Sequence, residues 1–549
     1  MDPDDPFPMA QALERDVRMI AAALARPGPL DRLADQLELE PCWLEDVALN
    51  DEPGAAREVL VRALHDPRLA GAPHLTPKIE RRLAAVVGWG LGDWIAAEAL
   101  LVSALEALHW ARDSAATAAV ATQLAWLRGA SGDLEGQLAA AREIAAAERA
   151  RGPGDRSSRA AAAAAWAAAW SGRPVEVEAL LPDPSEDAMP SCPTALAVYA
   201  LSCSLAGRPA DAVLSIHRIA AGGDLHPAAV EATVVTSTVA GRPGDVVLVA
   251  DERARWCMGP ADPRRTLALA LSVVAAVEAD DGMRAGRLMD ELERLRGHDA
   301  DDVATRHRWA RLMLCWQENG ARAAAGALVD LVAGTARRWT ALDALAAAAA
   351  SAAAREAGDA DAAARLLAAL ESAAARSPAA LIGAVAAIAR GDAALLGVAG
   401  PGFERPLPDV TSALEDVGAA GLAASARAVD GRLAEAEGRR DEAIARLARA
   451  AADLQRLGAR RALTAVLADL AGLGQDGRRA AAALGGAALT GRELEIARMA
   501  AGGLTAQAIA DRLVISRRTV ETHLAHTYAK LAVSGRRELE RRAHELGLR

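Results

Sequence analysis

Aromatic residues are scarce in this chain of 549 residues, which holds 11 Trp, 2 Tyr and 2 Phe. Hydrophobic residues reach 52%, and alanine supplies much of that share. Alanine favours helix, whereas strands draw on Val, Ile, Tyr and Phe. A large β-sandwich, barrel or doubly wound sheet is therefore not expected. Lysine is nearly absent too. Of 62 basic residues only Lys78 and Lys530 are lysine. The weight of Ala, Gly, Pro and Arg points to GC-rich bacterial coding. Five cysteines, at 42, 192, 203, 257 and 315, form no CxxC pair. They are expected to be reduced, buried thiols of a cytoplasmic protein.

Catalytic and cofactor motifs are missing as well. Neither lysine follows a glycine, so the Gly-x-x-x-x-Gly-Lys-Ser/Thr phosphate cradle is excluded. There is no Gly-x-Ser-x-Gly elbow and no His-Glu-x-x-His. Gly88, Gly90 and Gly92 are spaced like part of a nucleotide loop, but no strand precedes them. His523 and His526 stand one helical turn apart without a third metal ligand nearby. The expectation is a protein that is not an enzyme, with no cofactor and no metal. The opening Met-Asp-Pro-Asp-Asp-Pro is acidic, unlike a secretory signal. The longest charge-free run, Ala188 to Gly207, holds Pro190, Pro193 and three serines. It makes a poor membrane span, and Pro193 suits a helix start better.

What is present is a recurring phrase: an apolar helical stretch, a glycine with a polar neighbour, then a second apolar stretch. It recurs at Gly92, Gly132, Gly172, Gly207, Gly241, Gly282, Gly320, Gly358 and Gly438. The last interval is two periods, and Gly391 is the candidate for the missing member. Glycine ends one helix in the left-handed conformation, and Pro or Asp opens the next. One such hairpin cannot bury both apolar faces, so neighbours must stack. The phrase around Gly438, with Asp441-Glu442-Ala443 after the turn, resembles the tetratricopeptide family. The array is expected over 76–470. A helical or irregular segment, 1–75, precedes it, and a linker, 471–488, follows. Trp126 and Trp166 each lie six residues before a turn glycine. Two roles fit them: lining a ligand groove, or filling the gap between alanine-rich helices.

Charge divides the chain. The formal total is −11. From Leu489 to Arg549 there are 11 Arg or Lys against 7 Asp or Glu, a balance of +4, so the rest carries −15. A polyanion contact belongs at the basic end.

That end reads as a helix-turn-helix. Thr490 and Glu493 form a capping box, and Leu489 with Leu494 forms a hydrophobic staple. The first helix ends at Gly502-Gly503. Thr505 caps a second helix, which turns inward Ile509, Ala510 and Leu513. Ser516 caps a third. On that third helix Val520, Leu524, Thr527 and Leu531 form the core stripe. Arg518, Thr522, Ala525, His526 and Ala529 face the other way. Small residues there let the backbone approach, while Arg518, Thr522 and His526 can reach base edges. Ser516, Arg517 and Arg518 crowd the N-terminus, where the helix dipole favours phosphate.

These residues carry a resemblance. The pattern Leu489-Thr-x-Arg-Glu, Ala501-x-Gly-x-Thr505, Ile509-Ala510-x-x-Leu513, Ile515-Ser516-x-x-Thr519-Val520-Glu521-x-His523 and Tyr528-x-Lys530-Leu531 resembles the LuxR-type (GerE-like) DNA-binding domain. The resemblance implies four helices over 489–549, with the third in the major groove of double-stranded DNA. It also implies homodimer contacts through a fourth helix, about Gly535 to Leu546. The expected DNA-binding set is Thr505, Ser516, Arg517, Arg518, Thr519, Glu521, Thr522, His526 and Lys530. The departures are Ala506 and Ala508, in place of an Asn and an acid, a small Ala497, and Glu521 where many members carry Lys. Glu521 can accept from cytosine N4 or repel phosphate. The layout resembles the large LuxR-type regulators in which helical repeats precede the terminal domain. Their usual ATPase module has no counterpart among these residues.

The expected fold is all-α, a tetratricopeptide-like hairpin solenoid followed by a four-helix terminal domain. The expected function is a cytoplasmic bacterial transcription regulator with no membrane contact. Its repeats would sense a protein or small-molecule signal, with RNA polymerase or another protein as partner. The alternative is an interaction scaffold that its terminal module tethers to DNA.

Overall fold

The computed structural model describes most of residues 12–543. The longest stretches outside that description are 38–52, 182–192, 247–260 and 399–406, with shorter ones inside the terminal module. The described residues are helical throughout and contain no strand. None of their helices is long and apolar enough to cross a membrane. Pro193 is the first residue of the helix Pro193–Leu205, as its fixed φ favours. The N-terminal segment contributes the helices Ala12–Leu24 and Pro53–Leu64.

The body is a succession of helices in which neighbours in sequence pack together and many also pack on the next but one. Gly92, Gly132, Gly207, Gly241, Gly320, Gly358 and Gly438 all take positive φ between helices, as the repeated phrase requires. Gly172 lies outside the described residues. Two expectations are corrected. Gly391 is not a turn. It sits inside the helix Ala380–Leu395, where an added Cβ would lie 2.5 Å from Val429 Cγ1. The missing turn is Gly397, at φ 75°, about midway between Gly358 and Gly438. Gly282 is not left-handed either. Asp280 takes that conformation at φ 58°, and Asp281 caps the helix Gly282–Arg294 by accepting from the Arg284 N–H at 3.1 Å. Asp tolerates the left-handed region better than most residues, so the turn shifts upstream by two.

Alanine lets the helices approach closely. In Asp155–Trp170 the residues Ala160 to Trp170 are all buried, so no face of that stretch meets water. The indoles fill what alanine leaves open. Trp126 and Trp166 are 6% and 7% exposed, with ring centroids 5.5 Å apart. They are gap-fillers, and the open-groove role is not theirs. Trp166 and Trp170 both donate from Nε1 to the buried Glu231, at 2.9 and 3.1 Å. The buried Arg82 and Arg306 are paired with acids. Arg82 donates twice to Asp16, at 2.6 and 2.8 Å, and Arg306 meets Asp343 at 2.7 Å.

The array curls until late helices touch early ones. Pro227–Ala240 meets Ala341–Ala357 and Ala420–Ala436, and Pro263–Glu278 meets Arg460–Gly472. At this seam a Cβ on Gly241 would lie 2.6 Å from Gly421 Cα, so glycine is needed on both sides. The Ala210 N–H donates to the Val417 carbonyl at 3.1 Å, and Arg461 reaches Glu278 at 2.8 Å. The seam lines a half-open cavity of about 180 Å³.

The open linker expected over 471–488 is corrected for most of its length. Gly474–Gly485 is a helix packed on Arg440–Leu457 and Arg460–Gly472. Ala480 to Leu484 supply the helix-forming run, and Gly477 sits where a Cβ would lie 2.1 Å from the Leu470 carbonyl oxygen. Gly477 here serves close packing.

Candidate nucleic-acid interface

The terminal module has its own core. Ile496, Ala500, Ile509, Val520, Leu524 and Leu539 are buried together, with Tyr528 packed at the edge. The first helix, Gly491–Ala501, starts where Thr490 was expected to cap it. It stops at Gly503, φ 94°, after which the Leu504 N–H returns to the Met499 carbonyl at 3.1 Å. Thr505 caps the second helix, Ala506–Leu513. Its Oγ1 accepts from the Ala508 N–H at 3.1 Å. With that oxygen engaged on the helix, the hydroxyl hydrogen stays free to donate to a phosphate.

Along the third segment the described positions follow the expected stripe. Val520 and Thr527 are fully buried and Leu524 is 6% exposed. Leu531 lies outside the described residues. Arg517 and Glu521, off the stripe, are exposed. They form an ion pair, Arg517 Nε to Glu521 Oε1 at 2.7 Å. Glu521 thus occupies one edge of the Arg517 guanidinium. Of the expected contact set, Ser516, Arg518, Thr519, Thr522, His526 and Lys530 lie outside the described residues, as does His523. Among the described residues no cluster of His, Cys, Asp and Glu could hold a metal.

The fourth helix, Arg536–Arg541, is tied to the first by Arg536, which donates to the Ala500 carbonyl at 3.4 Å and pairs with Glu540 at 2.8 Å. Tyr528 is half-buried, and burial raises its phenol above the usual range. Leu539 and Ala543 are 0% and 1% exposed, inside the module's own core. Their spacing on the fourth helix suits either contact with a second copy or packing on their own domain, and these two residues take the second role. Leu546 lies outside the described residues. Sequence reasoning passed over three exposed arginines, Arg498, Arg537 and Arg541. Their signal was their place next to buried positions on amphipathic helices, where a cation can only face solvent.

Residues 487–543 match the protein-family profile described as "Bacterial regulatory proteins, luxR family". Over 63 residues, 12% of this chain, the sequence is 44% identical to proteins named as HTH-type transcriptional regulators from Mycobacterium bovis and two strains of Mycobacterium tuberculosis. The matched stretch spans 7% of each relative's own length.

Proposed function

We propose, from a terminal module that is a LuxR-type helix-turn-helix domain, that the whole protein is a bacterial transcription regulator acting in the cytoplasm. The observation that carries this reading is the match over 487–543, joined to a module core that buries Val520 and Leu524 and leaves Arg517 exposed. Phosphate contacts set affinity and base contacts set sequence preference. Arg517 and Lys530 are assigned to phosphate, and Arg518, Thr522 and His526 to base edges. In this reading the body is a tetratricopeptide-like array that receives a signal and hands it to RNA polymerase or another protein. Catalysis has no part in it. The alternative, a scaffold tethered to DNA, is favoured by no particular contact.

The test is genome-wide mapping of DNA bound by the full chain, followed by selection from randomised sites. Recovery of a defined site, with Arg518→Ala or Thr522→Ala relaxing preference at single base pairs by about 1–3 kcal/mol, supports the reading. Indifference to sequence, or no DNA bound at all, sinks it.

A further inference from the structure

The half-open cavity at the seam is built from five helices, with Val274, Met313, Ala352, Val429 and Val466 each contributed by a different one. Its volume of about 180 Å³ exceeds that of the dry cavity of about 150 Å³ that takes up benzene, which gives room for roughly six to eight carbons. The space exists because small residues border it. Ala348 and Ala352 on Ala341–Ala357, Ala428 on Ala420–Ala436 and Ala465 on Arg460–Gly472 all belong to the lining. A leucine at any of them would take up part of the volume. Walls that are mostly apolar, with one side open to water, suit a hydrocarbon group whose polar end stays outside.

The charged groups of the lining differ in how firmly they are held. Arg461 meets Glu278 at 2.8 Å, Arg355 meets Asp392 at 2.9 Å and Arg432 meets Asp469 at 2.7 Å. These three arginine side chains are 19% exposed or less. Glu356 lies 3.5 Å from Arg355 and 4.0 Å from Arg461. The lining acids Glu278, Glu356 and Asp392 thus each stand beside an arginine, and a cationic ligand would have to displace one. Arg242 is different. Its side chain is 61% exposed, and Asp245, itself 56% exposed, stands 4.0 Å away. An exposed pair at that distance is weak, so a competing anion can take the guanidinium. Arg242 also follows Gly241, whose approach to Gly421 forms the seam.

We propose that the seam cavity binds a small anionic amphiphile, with a hydrocarbon chain of about six to eight carbons between the walls and a carboxylate head on Arg242. The inference stands on the cavity and its charges, apart from the regulator reading. Burial of the chain drives binding, because each CH2 removed from water favours the bound state. Arg242 sets the sign of the head. The chain would pack against Val466 of Arg460–Gly472, the helix that leads through Gly474–Gly485 towards the DNA-binding module.

The test is calorimetric titration of the full chain with octanoate below its micelle concentration, and with 1-octanol and octylammonium, which keep the chain and change the head. One octanoate per protein chain is expected, bound more tightly than either alternative. Hexanoate should bind roughly fifteenfold more weakly, at about fourfold for each CH2 removed. Ala352→Leu and Ala465→Leu fill the cavity from different helices, and each should weaken octanoate by about tenfold or more. Arg242→Gln, at an exposed position, should weaken octanoate about two- to fivefold and leave 1-octanol unchanged. Because the three variants stand on different elements, misfolding of one leaves the others decisive. Absence of binding, binding that neither leucine variant weakens, octylammonium as tight as octanoate, or an Arg242→Gln loss shared by 1-octanol would overturn the proposal.

Discussion

The body and the terminal module hold themselves together by different means. In the body, charged pairs reach across the fold: Arg82 to Asp16 over 66 positions, Arg306 to Asp343 over 37, Arg461 to Glu278 over 183. Arg82, Asp16, Arg306 and Asp343 are all 4% exposed or less. In the module the pairs are local and wet. Arg517 with Glu521 and Arg536 with Glu540 are each four residues apart. Exposed pairs of this kind contribute about 0–1 kcal/mol, whereas breaking a buried pair costs several times that. Small apolar residues and a cap hold the module, and long-range cross-links hold the body. Tryptophan tracks this division, since all eleven lie between Trp43 and Trp339. Indole emission thus reports on the body, and DNA binding reports on the module.

The largest expected effect tests the buried cross-link. Asp16→Ala leaves the Arg82 guanidinium buried with its carboxylate gone, and should cost about 3–5 kcal/mol in denaturant unfolding followed by indole emission. A loss below 1 kcal/mol would erase the contrast with the module. Next comes the seam. Gly241→Ala meets both a left-handed backbone and the Gly421 main chain, and should cost about 3 kcal/mol. Gly438→Ala has the same backbone strain with nothing within 4 Å, so about 1–2 kcal/mol is expected. Equal losses would mean that the walls do not press together there.

Glu231 adds a pH dependence to the body. Burial raises its carboxyl from 4.5 to about 7, against the opposing pull of Arg264 and the two indole donors. Its folded value exceeds its unfolded one, so the folded state holds the proton more tightly. That contribution is complete below about pH 4.5 and is lost as pH rises through 7, by up to roughly 3 kcal/mol. Glu231→Gln should flatten this slope between pH 5 and 8. A slope unchanged in the variant would assign it to another group.

The module should respond more weakly. Thr505→Ala removes the cap and should cost about 1 kcal/mol, read as a lower temperature for loss of DNA binding with indole emission unmoved. Smallest in stability is Glu521→Gln, within about 0.5 kcal/mol by unfolding. It frees Arg517, so DNA affinity at low salt should rise, and the salt slope should steepen by about one. A flat response would place Arg517 away from phosphate.

Much of this was legible in the sequence because it rests on local chemistry. The turn glycines, Pro193 at a helix start, the Thr505 cap and the stripe Val520, Leu524 and Thr527 each follow from one backbone requirement or one helical period. What was not legible depends on distant partners. Gly391 looks like a turn residue, and Gly477 like part of a linker, until Val429 and Leu470 are seen against them. Leu539 and Ala543 present the spacing of an exposed seam, and only the fold shows that the module's own core takes them.

Closure of the body also bears on how the chain is made. An open row of repeats can settle unit by unit as it leaves the ribosome, because each unit needs only its neighbour. Here Gly241 and Ala210 wait for Gly421 and Val417, which are synthesised about 200 residues later. At about 5–20 residues per second, that is a delay of roughly ten to forty seconds. Throughout it the inner wall of the first half stands bare, apolar and alanine-rich. The nascent protein is therefore expected to be most prone to aggregation during one definable window. A translational pause placed before Gly421 would lengthen that window and cost soluble yield, and a pause placed after Gly472 would not.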